Sequence, residues 1–358
     1  NPGFPCNPPA PTGAGGMHIM FRRFCRLTAF YKRIKEENMK YGKIPGVDKP
    51  VSRIFLGTCT KRFMGGGDCS DLLNAALSLG INAIDTARVY RGAERSIGRW
   101  LRLSDAREKV VILSKCAHPD LFGRKRVNER AIRADLKKSL SLLGTQYIDI
   151  YIAHRDDTSV PVGEIVEIFN AILSEGKIRA FGGSNWSHER IEQANEYAYS
   201  HNLVPFAVSS PYYSLAEQYG DPWGKNGLCI TGSQNAPARA WYAESGLPVV
   251  AYSSLARGVL SGRIKSSDYS SAGKIFDRVT MRGYVSKENF ERLRRCEELA
   301  KAKGVSVAQT ALAYVLCCGM NTFAAVSGSG AGRLKENALA ADLTLTAAEC
   351  SWLESGVR

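Results

Sequence analysis

The feature that most limits what this chain can fold into is a rhythm. From about residue 39, short apolar runs alternate with longer segments of helical periodicity, and the unit recurs eight times. The predicted strands are IFLGT (54–58), NAIDT (82–86), VVILSK (110–115), YIDIYIAH (147–154), IRAFGGSN (178–185), FAVSSP (206–211), LPVVAYSS (247–254) and TFAAVSG (322–328). The predicted helices cover 70–79, 94–103, 129–143, 163–175, 187–200, 236–245, 286–303 with 306–318, and 333–340. Near-continuous apolar strands suit a parallel sheet buried on both faces. Eight strand–helix units point to an α/β (β/α)8 TIM barrel, with an open doubly wound sheet as the competing arrangement. A length of 358 residues fits one such barrel. The predicted division is an N-terminal extension over 1–38 and a barrel over 39–358.

Several boundaries have local causes. Ser70 and Asp71 are expected to cap the helix that ends at Gly80, and Gly176 and Gly246 to stop theirs in the left-handed conformation. Two long connections, 212–235 and 255–285, leave strand ends on the C-terminal face, where barrels carry their sites. The extension has two parts. Residues 1–16 hold five Pro, four Gly and no charge, and read as a flexible lead-in. Beyond them Phe21, Phe24, Leu27, Tyr31 and Ile34 recur at helical spacing among Arg and Lys. That is a basic amphipathic segment for a membrane surface or partner, or a helix packed on its own domain. Its charge does not suit a signal-peptide core.

Composition narrows the class. The net charge of +14 is spread along the chain, without zinc-finger spacing or an RNP-like aromatic motif. A solvated basic surface with a phosphate-binding pocket fits this better than a nucleic-acid protein. Ten cysteines without CxxC pairs indicate reduced thiols and a cytoplasmic location. No apolar stretch approaches the roughly 20 residues needed to span a membrane.

The polar ends of three strands carry the chemistry. Side chains alternate along a strand, so Ile81, Ala83 and Asp85 share a face, as do Val111, Leu113 and Lys115, and Ile148, Ile150, Ile152 and His154. Each row is apolar until its last, ionisable member. On neighbouring strands these three converge at one mouth, and Tyr90 lies one short turn beyond Asp85. A buried ammonium beside a phenol is expected to lower the phenol's pKa, and a carboxylate is needed to keep the buried lysine charged. Tyr90 then suits a general acid for a carbonyl oxygen, with His154 orienting that oxygen. Taken singly, Asp85 could be a helix cap, Lys115 a strand-end lysine, His154 an interior histidine and Tyr90 packing. A Schiff-base role for Lys115 is the chemical competitor. SGSGAGRLKEN (327–337) adds glycines and a helix N-terminus suited to phosphate.

DTARVY followed by GAE, then LSK, IAHR and GGSNW, resembles the aldo-keto reductases, and the resemblance runs from about residue 52 to 355. It implies a (β/α)8 barrel, NADPH or NADH as hydride donor, and catalytic roles for Asp85, Tyr90, Lys115 and His154. It also implies a cofactor cradle. Gly57 and Thr58 close the first strand, and Ser184 with Asn185 would hold the carboxamide. Ser210 stands where the family often has Gln. Tyr252 would stack on the nicotinamide, with Ser253, Leu255 and Gly258 around the pyrophosphate. Ser327 and Gly328 follow the eighth strand, with Ser327 where many relatives have Lys. Arg333 would pair with a 2′-phosphate, favouring NADPH, and Glu336 and Asn337 would contact adenine. HRDDTSVPVGEIVE followed by GKIRAFGGSNW resembles a bacterial branch and points to polyols or sugar-derived ketones. Cys59, Phe63, Trp186, Tyr213 and Trp223 are candidates for an aromatic mouth.

The function expected is reduction of a small-molecule carbonyl. The competing reading is a cofactor-binding regulatory or partner subunit on the same barrel, docking through the N-terminal segment. Deletion of residues 1–38 distinguishes them, because an enzyme keeps its activity and a docking subunit loses its partner.

Overall fold

The computed structural model describes residues 39–223 and 227–357. The extension predicted over 1–38 lies outside the described residues. Eight parallel strands close into a barrel: β1 (Ile54–Gly57), β2 (Ala83–Asp85), β3 (Val111–Cys116), β4 (Ile148–Ala153), β5 (Ile178–Ser184), β6 (Val208–Ser210), β7 (Val249–Ala251) and β8 (Thr322–Val326). They pair in sequence order, and β8 returns to β1 through Ala324 opposite Ile54. The open-sheet alternative is thereby removed.

Alternation along the strands builds two apolar layers. Phe55, Ala83, Val111, Leu113, Ile150 and Ile152 fill the barrel interior. Ile54, Ile84, Ile112 and Tyr151 face the helices outside. Ile81 and Ile148, expected in the interior rows, belong to the outer layer instead. Ile148 opens β4 and Ile81 precedes β2.

A short antiparallel ribbon pairs Tyr41 with Ser52 and Gly42 with Val51. Its Ile44 and Val51 join the interior cluster and plug the N-terminal mouth. Strands of two residues are too brief to show a period, so sequence patterning missed them. The C-terminal helix Ala347–Ser355 was also missed, although Thr346 and Glu349 form its capping box.

Gly80, Gly176 and Gly246 are left-handed, with φ of 79°, 69° and 64°, as expected. The cap assigned to Ser70 and Asp71 was not: Ser70 is already helical, Cys69 occupies the cap, and the Asp68 carboxylate accepts the Ser70 N–H at 2.8 Å. The loop over 255–285 folds into short turns and the helix Arg278–Tyr284, capped by Asp277.

Candidate active site

The strand ends set the candidate catalytic group. The Thr58 hydroxyl donates to the Asp85 carbonyl at 2.9 Å, tying β1 to β2. The loop after β2 is fastened to β3 by Arg88 N–H on the Lys115 carbonyl at 2.9 Å. Fully buried Glu94 accepts from Arg88 at 2.9 Å and from the Ser114 hydroxyl at 2.8 Å, which locks that loop and its helix onto β3. Tyr90 is thereby held over the mouth.

Lys115 is 2% exposed, and its ammonium bonds the Asp85 carboxylate, the Thr86 carbonyl at 3.1 Å and the Tyr90 hydroxyl at 3.5 Å. Tyr90 and His154 meet edge to face with ring centroids 5.8 Å apart. All four line one cavity of about 600 Å³. His118, which sequence reasoning passed over, stands 4.9 Å from the His154 ring. Its position after β3 carries no strand-end pattern that would have exposed it.

The electrostatics correct one expectation. The Tyr90 phenol is pushed well above its ordinary pKa, first by burial, then by the Asp85 carboxylate and the Cys59 thiol. Burial, the largest influence, outweighs the lowering expected from Lys115. His154 is pushed well below its ordinary value by burial, reinforced by the Lys115, His118 and Arg155 charges, so it stays neutral. Its Nδ1 is buried without a hydrogen-bond partner among the described residues.

Of the cofactor residues read from sequence, Gly57, Ser184, Asn185, Tyr252, Ser253, Leu255, Gly258, Ser327 and Arg333 line the same cavity. Thr58, Ser210, Gly328, Glu336 and Asn337 do not line it. The Ser210 hydroxyl is spent on the Val250 carbonyl at 2.8 Å, and Ser184 donates to the Ser210 carbonyl at 2.8 Å. Glu336 accepts from Arg333 at 2.6 Å. Asn185 donates to the His154 carbonyl at 3.1 Å and accepts from the Tyr252 hydroxyl at 2.8 Å. Ser253, Ala256 and Arg257 have φ of 53°, 48° and 53°, a run of left-handed backbone that clusters where chains grip ligands. Cys59 and Trp223 line the cavity, whereas Phe63, Trp186 and Tyr213 are core residues at 1% exposure or less. The aromatic mouth is therefore smaller than expected, because those three rings are consumed by packing.

The residues present fit a dinucleotide. Asn337 stands behind the cavity wall, one helical turn beyond Arg333, and is fully buried with neither its amide nitrogen nor its oxygen partnered among the described residues, a donor–acceptor pair open to a polar ligand edge. Arg257, Arg263 and Arg333 line the cavity and can meet phosphate charge.

The model of the aldo/keto reductase family matches residues 54–356, and the chain belongs to that family. An L-glyceraldehyde 3-phosphate reductase from Escherichia coli K12 is 28% identical, over 80% of this chain and 82% of its own. A putative voltage-gated potassium channel subunit beta from Schizosaccharomyces pombe is 30% identical, over 68% of this chain and 70% of its own. The solved glycerol dehydrogenase of Gluconobacter oxydans superposes with a TM-score of 0.69 at 25% identity, covering 88% of this chain and 94% of that one.

Proposed function

We propose that the protein reduces an aldehyde or ketone, with NADPH favoured over NADH. The observation that carries the reading is the contact set around Lys115, whose ammonium joins Asp85, Thr86 and the Tyr90 hydroxyl inside one cavity. A nicotinamide bound there would supply the hydride. Tyr90, held protonated, donates its proton to the substrate oxygen, and Lys115 stands within reach of the phenolate that remains. A bare lone pair at His154 Nδ1 costs less than a bare N–H, so the imidazole proton belongs on Nε2, where it can hold that oxygen. Ser184, Asn185 and Tyr252 would position the nicotinamide, and Arg333 a 2′-phosphate. Polyol- or sugar-derived carbonyls are the favoured class, in keeping with the names of the E. coli and Gluconobacter relatives. The yeast channel-subunit relative favours the docking alternative by name alone, whereas the assembled acid group favours turnover.

Substitution of Tyr90 by Phe tests the reading. Stopped-flow and fluorescence titration should show NADPH binding unchanged and carbonyl reduction lowered about 10²- to 10⁴-fold, the range for loss of a general acid. Parental turnover in that variant would overturn the role given to Tyr90.

A further inference from the structure

Four arginines line the cavity, and three are already engaged. Arg257 bonds Asp277 at 2.7 Å and the Thr280 hydroxyl at 2.9 Å. Arg333 bonds Glu336 at 2.6 Å and the Ser261 carbonyl at 3.1 Å. Arg263 donates to the Ile275 carbonyl at 3.4 Å and lies over the Phe276 ring. The fourth, Arg155, follows His154 directly and is only 7% exposed. Its guanidinium has no hydrogen bond, ion pair or aromatic ring among the described residues. The carboxylates beside it in sequence are committed elsewhere, Asp156 to Arg190 at 3.1 Å and Asp157 to Lys125 at 2.7 Å. Asp85 is held by Lys115.

A guanidinium keeps its charge in a protein interior, and burying it uncompensated is costly. Such a side chain aimed into a cavity is arranged for an anion that arrives with the ligand. Arg155 shares the cavity wall with Tyr90, His118, His154 and Tyr252, which places it on the reacting side. We propose that Arg155 binds an oxyanion carried by the carbonyl substrate, a carboxylate or a phosphate, and that the site thereby selects anionic aldehydes and ketones over neutral ones. This rests on the reductase reading above and specifies its substrate.

Matched pairs test it. Steady-state kcat/KM is measured for glyceraldehyde 3-phosphate against glyceraldehyde, and for glyoxylate against methylglyoxal, with the parental protein, Arg155→Gln and Arg155→Lys. The parental protein should favour the anionic member of at least one pair by about 10- to 100-fold, the scale of a charge-assisted contact. Arg155→Gln should abolish that preference through KM while sparing the neutral member and NADPH affinity, and Arg155→Lys should restore part of it. The pair that loses more tells a phosphate from a carboxylate. Equal loss on both members of each pair, or no parental preference in either, overturns the inference, and weakened NADPH binding would assign Arg155 to the cofactor instead. If no carbonyl is reduced, the reductase reading fails, and titration of glycerol 3-phosphate into the full chain decides Arg155 separately. Binding lost in Arg155→Gln supports the anion site, and binding absent or unchanged overturns it. Removing an uncompensated charge should leave the melting temperature equal or higher, so misfolding does not confound the result.

Discussion

Burial acts on Tyr90 and His154 in opposite directions and favours the neutral form of both. The phenol rises well above 10.0 and the imidazole falls well below 6.5. A profile of kcat/KM against pH should therefore be flat between those two values, falling only on the acid side as His154 protonates and on the alkaline side as Tyr90 ionises. Initial rates across that range check it, and a limb near pH 8 would assign the proton to another group. The same depressed imidazole affects folding. Below pH 6.5 the unfolded chain takes up a proton at His154 that the folded chain refuses, so stability is lost as pH falls through that window. Asp85, Lys115 and His154 were legible in the sequence because each ends an apolar row, and the register sets Asp85 opposite Leu113 and Lys115 opposite Ile152. His118 and Arg155 were not, since nothing in spacing says which loop-borne groups turn inward or which cation lacks a partner.

At the level of elements, the long periodic helices and the buried strands were readable to within a few residues, because each must hide a continuous apolar face. The two-residue ribbon strands and the exact cap at Cys69 were not, since tertiary contacts decide them. A single glycine shows how an element carries the site. Gly182 lies on β5 opposite Val208, two residues before Ser184. A Cβ there would fall 1.9 Å from the Val208 carbonyl oxygen. Backbone of a neighbouring strand cannot yield cheaply, so Gly182→Ala should destabilise the protein by about 1–3 kcal/mol. Because the displaced strand also carries Ser184 and Asn185, cofactor affinity should weaken as well. Thermal unfolding and NADPH titration read the two effects, and a stable variant with parental affinity would show that β5 and β6 can separate without disturbing the cradle.

Across the whole barrel the two mouths have different work. At the C-terminal mouth, charges face a cavity and Arg155 has no partner among the described residues. At the N-terminal mouth a buried charge is matched: Asp149, 1% exposed, accepts from Lys49 at 3.1 Å, Arg107 at 2.9 Å and the Ile112 N–H at 3.0 Å. Lys49 belongs to the connection between the ribbon strands, Arg107 to the turn before β3 and Asp149 to β4, so one carboxylate binds the plug to the barrel. Barrel enzymes place stability at this end and chemistry at the other. Asp149→Asn should then cost about 3 kcal/mol, the lower end for breaking a buried pair, because both cations keep some access to water. A chain of this size would register that as a clear fall in melting temperature, while cofactor affinity and turnover of the remaining folded protein stay parental. The comparison with Arg155→Gln is the sharper part of the experiment: one variant removes a matched charge and should lose stability without touching substrate choice, and the other removes an unmatched charge and should lose substrate choice without touching stability. A fall in turnover per folded molecule for Asp149→Asn would show that the ends of the barrel are coupled and that the division between them is wrong.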